Sequence, residues 1–134
     1  MLQEADSYPG PSLVIAYSHC IAHGYDMAFG VDQQLRAVQS GVWPLYRYDP
    51  RRIEVGEPPL TVDVAGGKLP VQEYMKNEAR FRMVEKIDPE RFQRFARQAQ
   101  LEAARRIAVY QHMANLRLPG GNGAGTNGGR GGRS

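Results

Sequence analysis

With 134 residues, 17 basic and 14 acidic side chains and a single cysteine, the chain has room for one domain at most and no internal disulfide framework. Its formal net charge is +3, but Arg130 and Arg133 of a Gly-rich tail supply two of those charges, so the remainder offers no broad basic face for nucleic acid. No apolar run is long enough to cross a bilayer and none has the layout of a signal peptide, so a soluble, cytoplasmic protein with no membrane partner is expected.

In chain order, the first predicted element is SLVIAYS over residues 12–18, a continuous apolar run bounded by Pro9, Gly10 and Pro11 on one side and by His19, Cys20 and Gly24 on the other. Such a run suits a strand buried on both faces of a parallel sheet. A helix is predicted over residues 31–40, with Leu35 and Val38 inward, Gly41 left-handed after its last turn and Pro44 preventing continuation. LYRY, residues 45–48, is a short second strand, and strand, helix, strand in this order is a βαβ unit. Residues 49–69 are rich in Pro and Gly and read as a wrapping segment, in which only residues 60–64 alternate enough for a brief edge strand. Helical character returns over residues 70–86. Asp88, Pro89 and Glu90 then supply an N-cap, a first-turn proline and a first-turn acid, the signature of a long helix. On it Phe92, Phe95, Ala96, Ala99, Ala103, Ile107, Tyr110 and Ala114 form one apolar stripe.

The fold class is α/β: a βαβ unit, a wrapping segment and a long C-terminal helix. A sheet of two or three strands cannot be stable when one strand is written for burial on both faces. The chain therefore reads as the end of a larger α/β domain, residues 1–118, followed by a disordered Gly/Arg-rich tail, residues 119–134.

Cys20 directly follows the carboxyl end of the predicted buried strand, the edge at which open α/β sheets gather ligand-binding loops. It can be a small apolar packing residue, or one donor in the His19-Cys20-x-x-His23 string. A closed zinc site is short of donors, since only His112 lies beyond that string, and a catalytic Cys-His pair lacks an orienting third group. Glu73, Glu78, Glu85 and Glu90 read as solvated charges on helical faces. The aromatic set Trp43, Tyr46, Tyr48, Tyr74, Phe81, Phe92 and Phe95 reads as core and wrapping contact.

EADSYPGPSLVIAYSHCIAHGYD, residues 4–26, resembles the segment of pyruvate:ferredoxin (flavodoxin) oxidoreductases in which a Tyr-Pro-Gly-Pro-Ser opening leads into a buried strand and a Ser-Pro-Cys or Ser-His-Cys turn followed by His-Gly. SGVWPLYRYDP, residues 40–50, is similar to that family's Ser-Gly-aromatic-Trp-x-Leu-Tyr-Arg-Tyr-Asn/Asp-Pro string, and PVQEYMKNEARFRMVEKIDPE, residues 70–90, matches more loosely. The resemblance implies the C-terminal part of a thiamine-diphosphate-binding domain, with Cys20 as the fourth ligand of the [4Fe-4S] cluster nearest the thiamine. It implies pyruvate oxidation with coenzyme A, thiamine diphosphate and Mg in the complete enzyme, electron transfer to ferredoxin or flavodoxin, and as partners the remainder of the oxidoreductase in a homodimer. No catalytic and no cofactor-holding residue beyond Cys20 falls in this segment. His19 stands where proline is commoner, Ala22 where asparagine is frequent and Val42 where an aromatic is usual. The Gly/Arg tail is not a family feature, and a small nucleic-acid-binding protein using that tail is the alternative reading.

Overall fold

The helix predicted over residues 31–40 is present as α2, Gly30–Gln39, in the computed structural model, which describes residues 1–119. Its end is set as expected: Gly41 adopts φ +79° and its N–H donates to the Val38 carbonyl at 3.1 Å. The inward face differs from expectation. Gln33, Ala37 and Ser40 are buried, whereas Leu35 is 52 % exposed. This spacing of four and three residues is still one helical face, but small and polar side chains occupy it.

After α2, β1 (Leu45–Tyr48) and β2 (Leu60–Val64) form a two-stranded antiparallel sheet, with Tyr46 opposite Val62 and Tyr48 opposite Leu60. Both strands fall where the sequence placed them. Their connection contains the single-turn helix α3 (Arg51–Glu54), and it closes where the Asp49 N–H donates to the Pro59 carbonyl at 2.8 Å. Asp49 accepts from the Arg51 backbone and guanidinium, and these hydrogen bonds hold its carboxyl below the usual carboxylate range. Across the sheet Arg47 bridges Asp63 at 2.7 Å and Glu4 at 2.9 Å, tying the N-terminal helix α1 (Leu2–Asp6) to the hairpin.

The parallel βαβ unit does not form. Residues 12–18 have no regular secondary structure and, among the described residues, no ladder partner, and Leu13 is 84 % exposed. A strand exists only where a neighbour supplies the opposing N–H and C=O groups. β1 takes that neighbour from β2, the next strand after it, and residues 12–18 are left without one among the described residues.

The helical stretch predicted over residues 70–86 divides into α4 (Val71–Met75) and α5 (Ala79–Ile87). The long helix α6 (Pro89–Asn115) begins at the expected cap, where Asp88 Oδ1 accepts from the Arg91 N–H at 2.9 Å. Phe92, Ala96 and Ala103 of its stripe pack with Ala37, Val71, Tyr74 and Met75 into the core, while Phe95 lies outside it at 56 % exposure. Further along, Tyr110 lies against Tyr46 of β1, with ring centroids 4.8 Å apart. The fold is thus a mixed helix-and-sheet assembly with a long terminal helix, and the predicted tail lies outside the described residues apart from its first position.

Candidate functional site

Cys20, itself extended at φ -112° and ψ 149°, ends the irregular run and caps a one-turn 3-10 helix, Ile21–His23. The His23 N–H donates to the Cys20 carbonyl at 2.9 Å and faces the Cys20 side chain, and the Cys20 N–H points back to His23 Nδ1 at 3.5 Å. Gly24 closes the turn at φ +69°, and a Cβ there would stand 2.5 Å from that of Ala79, so only glycine fits. The Gly24 carbonyl in turn accepts from the Ala79 N–H at 2.8 Å, which fixes this end of the turn to the start of α5. The Cys20 thiol is free and exposed.

The other end of the turn is held from inside the protein. His19 is buried, with Nε2 3.4 Å from the Tyr74 hydroxyl and 3.5 Å from Glu78 Oε1. Glu78 is 0 % exposed; its Oε1 accepts from Gln33 Nε2 at 3.0 Å and its Oε2 from Arg80 Nε at 2.5 Å. Gln33 Nε2 also reaches the Tyr74 carbonyl at 3.1 Å, and its own oxygen accepts from Asn77 at 3.0 Å. Tyr17 joins through its hydroxyl, 3.3 Å from that of Tyr74, and its ring stacks on Trp43 with centroids 5.0 Å apart. A burial of this kind is tolerated because each polar group finds partners; the exception is His19 Nδ1, which is buried and has none among the described residues.

The electrostatics follow from desolvation. Burial pushes the His19 pKa below its ordinary value; the Glu78 carboxylate opposes this, and His23 and Arg80 add to it. Burial likewise pushes the Tyr74 hydroxyl far above its ordinary range, so it remains a phenol.

These positions separate what the sequence could and could not mark. His19, Cys20 and His23 were all singled out. The two imidazole rings meet edge-to-face with centroids 5.9 Å apart, but His19 Nε2 faces Tyr74 and Glu78, and among the described residues no group of three His, Cys, Asp or Glu side chains could share a metal ion. Glu78 is the clearest correction. It lies just before α5 rather than on a solvated helical face, buried between Gln33 and Arg80. The available signal was Gln33 itself, a polar residue four positions before Ala37 on the face of α2 that turns inward.

Known relatives place this turn in context. The chain is 48 % identical over 115 residues, 86 % of its length, to a pyruvate-flavodoxin oxidoreductase of Rhodospirillum rubrum, of which it covers 10 %. The chain is a relative of one segment of the pyruvate-flavodoxin oxidoreductases. It is also 34 % identical over 113 residues (84 % of the chain, 10 % of the relative) to the pyruvate:ferredoxin oxidoreductase of Moorella thermoacetica. A third relative is the mitochondrial pyruvate dehydrogenase [NADP(+)] of Euglena gracilis, 41 % identical over 88 residues (64 % of the chain, 5 % of the relative). No family model matches the chain. The oxidoreductase segment thus spans about a tenth of the length of the first two relatives. Their names share pyruvate and differ in the electron acceptor. No helix of the described segment is long and apolar enough to cross a membrane.

Proposed function

We propose that residues 1–118 are the C-terminal part of the thiamine-diphosphate-binding domain of a pyruvate:ferredoxin/flavodoxin oxidoreductase, and that Cys20 is their one direct contribution to its chemistry. In this reading Cys20 is a ligand of the [4Fe-4S] cluster nearest the thiamine. The observation that carries it is the free, exposed thiol of the only cysteine, on a turn anchored at both ends, inside a stretch 48 % identical to such an enzyme. A cluster normally takes four thiolates. The residues present therefore fit one corner of a cluster whose remaining ligands come from elsewhere in the enzyme.

When bound, such a cluster carries single electrons from the thiamine-centred reaction towards the acceptor. The segment's own part is to present one sulfur in a fixed position and to bury the His19 imidazole behind it. The parent reaction is conversion of pyruvate and coenzyme A to acetyl-CoA and CO2, with thiamine diphosphate and Mg held by other segments and ferredoxin or flavodoxin reduced, in a cytoplasmic homodimer. With one thiolate of four and no catalytic residue, this chain alone is inactive.

The test is Cys20→Ala in a complete oxidoreductase containing this segment. Iron per protein should fall and the EPR signal of the reduced thiamine-proximal cluster should disappear or change to that of a three-iron form, while the global fold persists. Unchanged iron, EPR and ferredoxin reduction would make Cys20 a packing residue.

A further inference from the structure

We propose that Glu78 is the positioning residue for the Cys20 sulfur, acting through His19 at one end of the turn and through its neighbour Ala79 at the other; this rests on the reading of Cys20 as a cluster ligand. Residues 12–18, which lead into Cys20, have no ladder partner among the described residues, so no strand pairing within this segment fixes where the cysteine begins. What fixes it is side-chain and backbone contact to two consecutive residues. His19 Nε2 meets Glu78 Oε1 at 3.5 Å, and the Gly24 carbonyl accepts from the Ala79 N–H at 2.8 Å. Between those two points lie only Cys20 and its single 3-10 turn.

Glu78 is itself immobilised. Gln33 of α2 and Arg80 of α5 donate to its two oxygens, and the peptide of Tyr74 in α4 accepts from the same Gln33 amide. Three helices thus meet at one buried carboxylate, and the turn that carries Cys20 rests on it. A buried carboxylate with fixed donors is rigid because any displacement breaks hydrogen bonds that no water can replace. Groups behind a metal ligand orient it, and their loss typically lowers metal affinity 10- to 100-fold.

The experiment uses the complete oxidoreductase with Glu78→Gln, Tyr74→Phe and Cys20→Ala, each prepared without oxygen. Glu78→Gln keeps the shape of the side chain but removes its charge and cannot accept from both Gln33 and Arg80 as the carboxylate does. Tyr74→Phe removes only the hydroxyl that meets His19 and Tyr17. Both should retain the wild-type iron content as prepared, show altered EPR line shapes for the thiamine-proximal cluster, and lose iron from that cluster to ferricyanide on the order of 10-fold faster than wild type for Glu78→Gln, with a smaller increase for Tyr74→Phe. If Glu78→Gln does not fold, Tyr74→Phe decides by the same two readouts. Wild-type spectra and rates in the folded variants, with iron lost in Cys20→Ala, would overturn the positioning role and leave the ligand assignment standing. Full iron and an unchanged spectrum in Cys20→Ala would remove the ligand assignment, and the inference with it.

Discussion

Gly66 and Gly56 share a left-handed backbone and differ in what surrounds them. At Gly66 φ is +86° and an added Cβ would lie 2.4 Å from the Gly41 Cα, where the end of α2 crosses the chain leaving β2. At Gly56 φ is +74° and nothing among the described residues stands within 4 Å of an added Cβ. Gly56→Ala should therefore cost about 1 kcal/mol, the penalty of the backbone conformation alone. Gly66→Ala should cost about 2 kcal/mol more, because it also forces two backbones apart. Urea unfolding followed by the far-UV signal measures both, and equal losses would mean that the Gly41–Gly66 crossing yields freely. The contrast marks a limit of sequence reading at this scale. Gly41, beside Pro44, was legible as a helix stop because the signal is local. That Gly66 must also be glycine depends on a segment more than twenty positions away in the sequence. His19 and Cys20 were likewise legible from their own string, whereas Glu78 was not, since its burial is a property of Gln33, Arg80 and Tyr74 packed around it.

Helix α6 shows how far local signals reach at the scale of an element. Asp88, Pro89 and Glu90 set its start from sequence alone, and the Asp88 side chain does accept from the Arg91 N–H. Asp88→Ala should destabilise the helix by about 1 kcal/mol, the usual effect of losing an N-cap acceptor, seen as an earlier midpoint in urea. An unchanged midpoint would mean that packing alone holds the first turn. Phe92 sits one turn further in and is 1 % exposed. Phe92→Ala should cost about 3–5 kcal/mol through lost burial and the cavity left behind, and a loss close to that of Asp88→Ala would show that the core around it collapses to fill the space. The extended elements were harder to read. A helix carries its hydrogen bonds within itself, so caps and periodicity define it; a strand is completed by a partner that its own residues do not name. That is why β1 and β2 were placed correctly but their antiparallel pairing was missed. It is also why residues 12–18, apolar enough for a buried strand, have none to join among the described residues.

Across the whole molecule the imbalance lies between a small core and a large apolar exterior. Ala37, Val71, Tyr74, Met75, Phe92, Ala96 and Ala103 make the core, and three of these seven are alanines. Leu13, Ile15, Ile21, Phe29 and Val31 are all exposed, and they come from the irregular run before Cys20, the cysteine turn and the entry into α2. Single exposed apolar residues are ordinary, but a run of neighbours is a surface written for contact. It agrees with a segment that spans about a tenth of its relatives' length. The consequence is measurable as amide hydrogen exchange. In the isolated chain the N–H groups of residues 13–17, which have no ladder partner among the described residues, should exchange at nearly unprotected rates, while the central turns of α6, bonded internally and buried at Ala96 and Ala103, exchange more slowly. In a complete oxidoreductase the same amides should become protected, since burial there has to satisfy each backbone donor. Slow exchange throughout residues 13–17 in a demonstrated monomer of this chain would show that the run finds a partner within the chain, and the segment would then be a self-sufficient domain rather than part of a larger one.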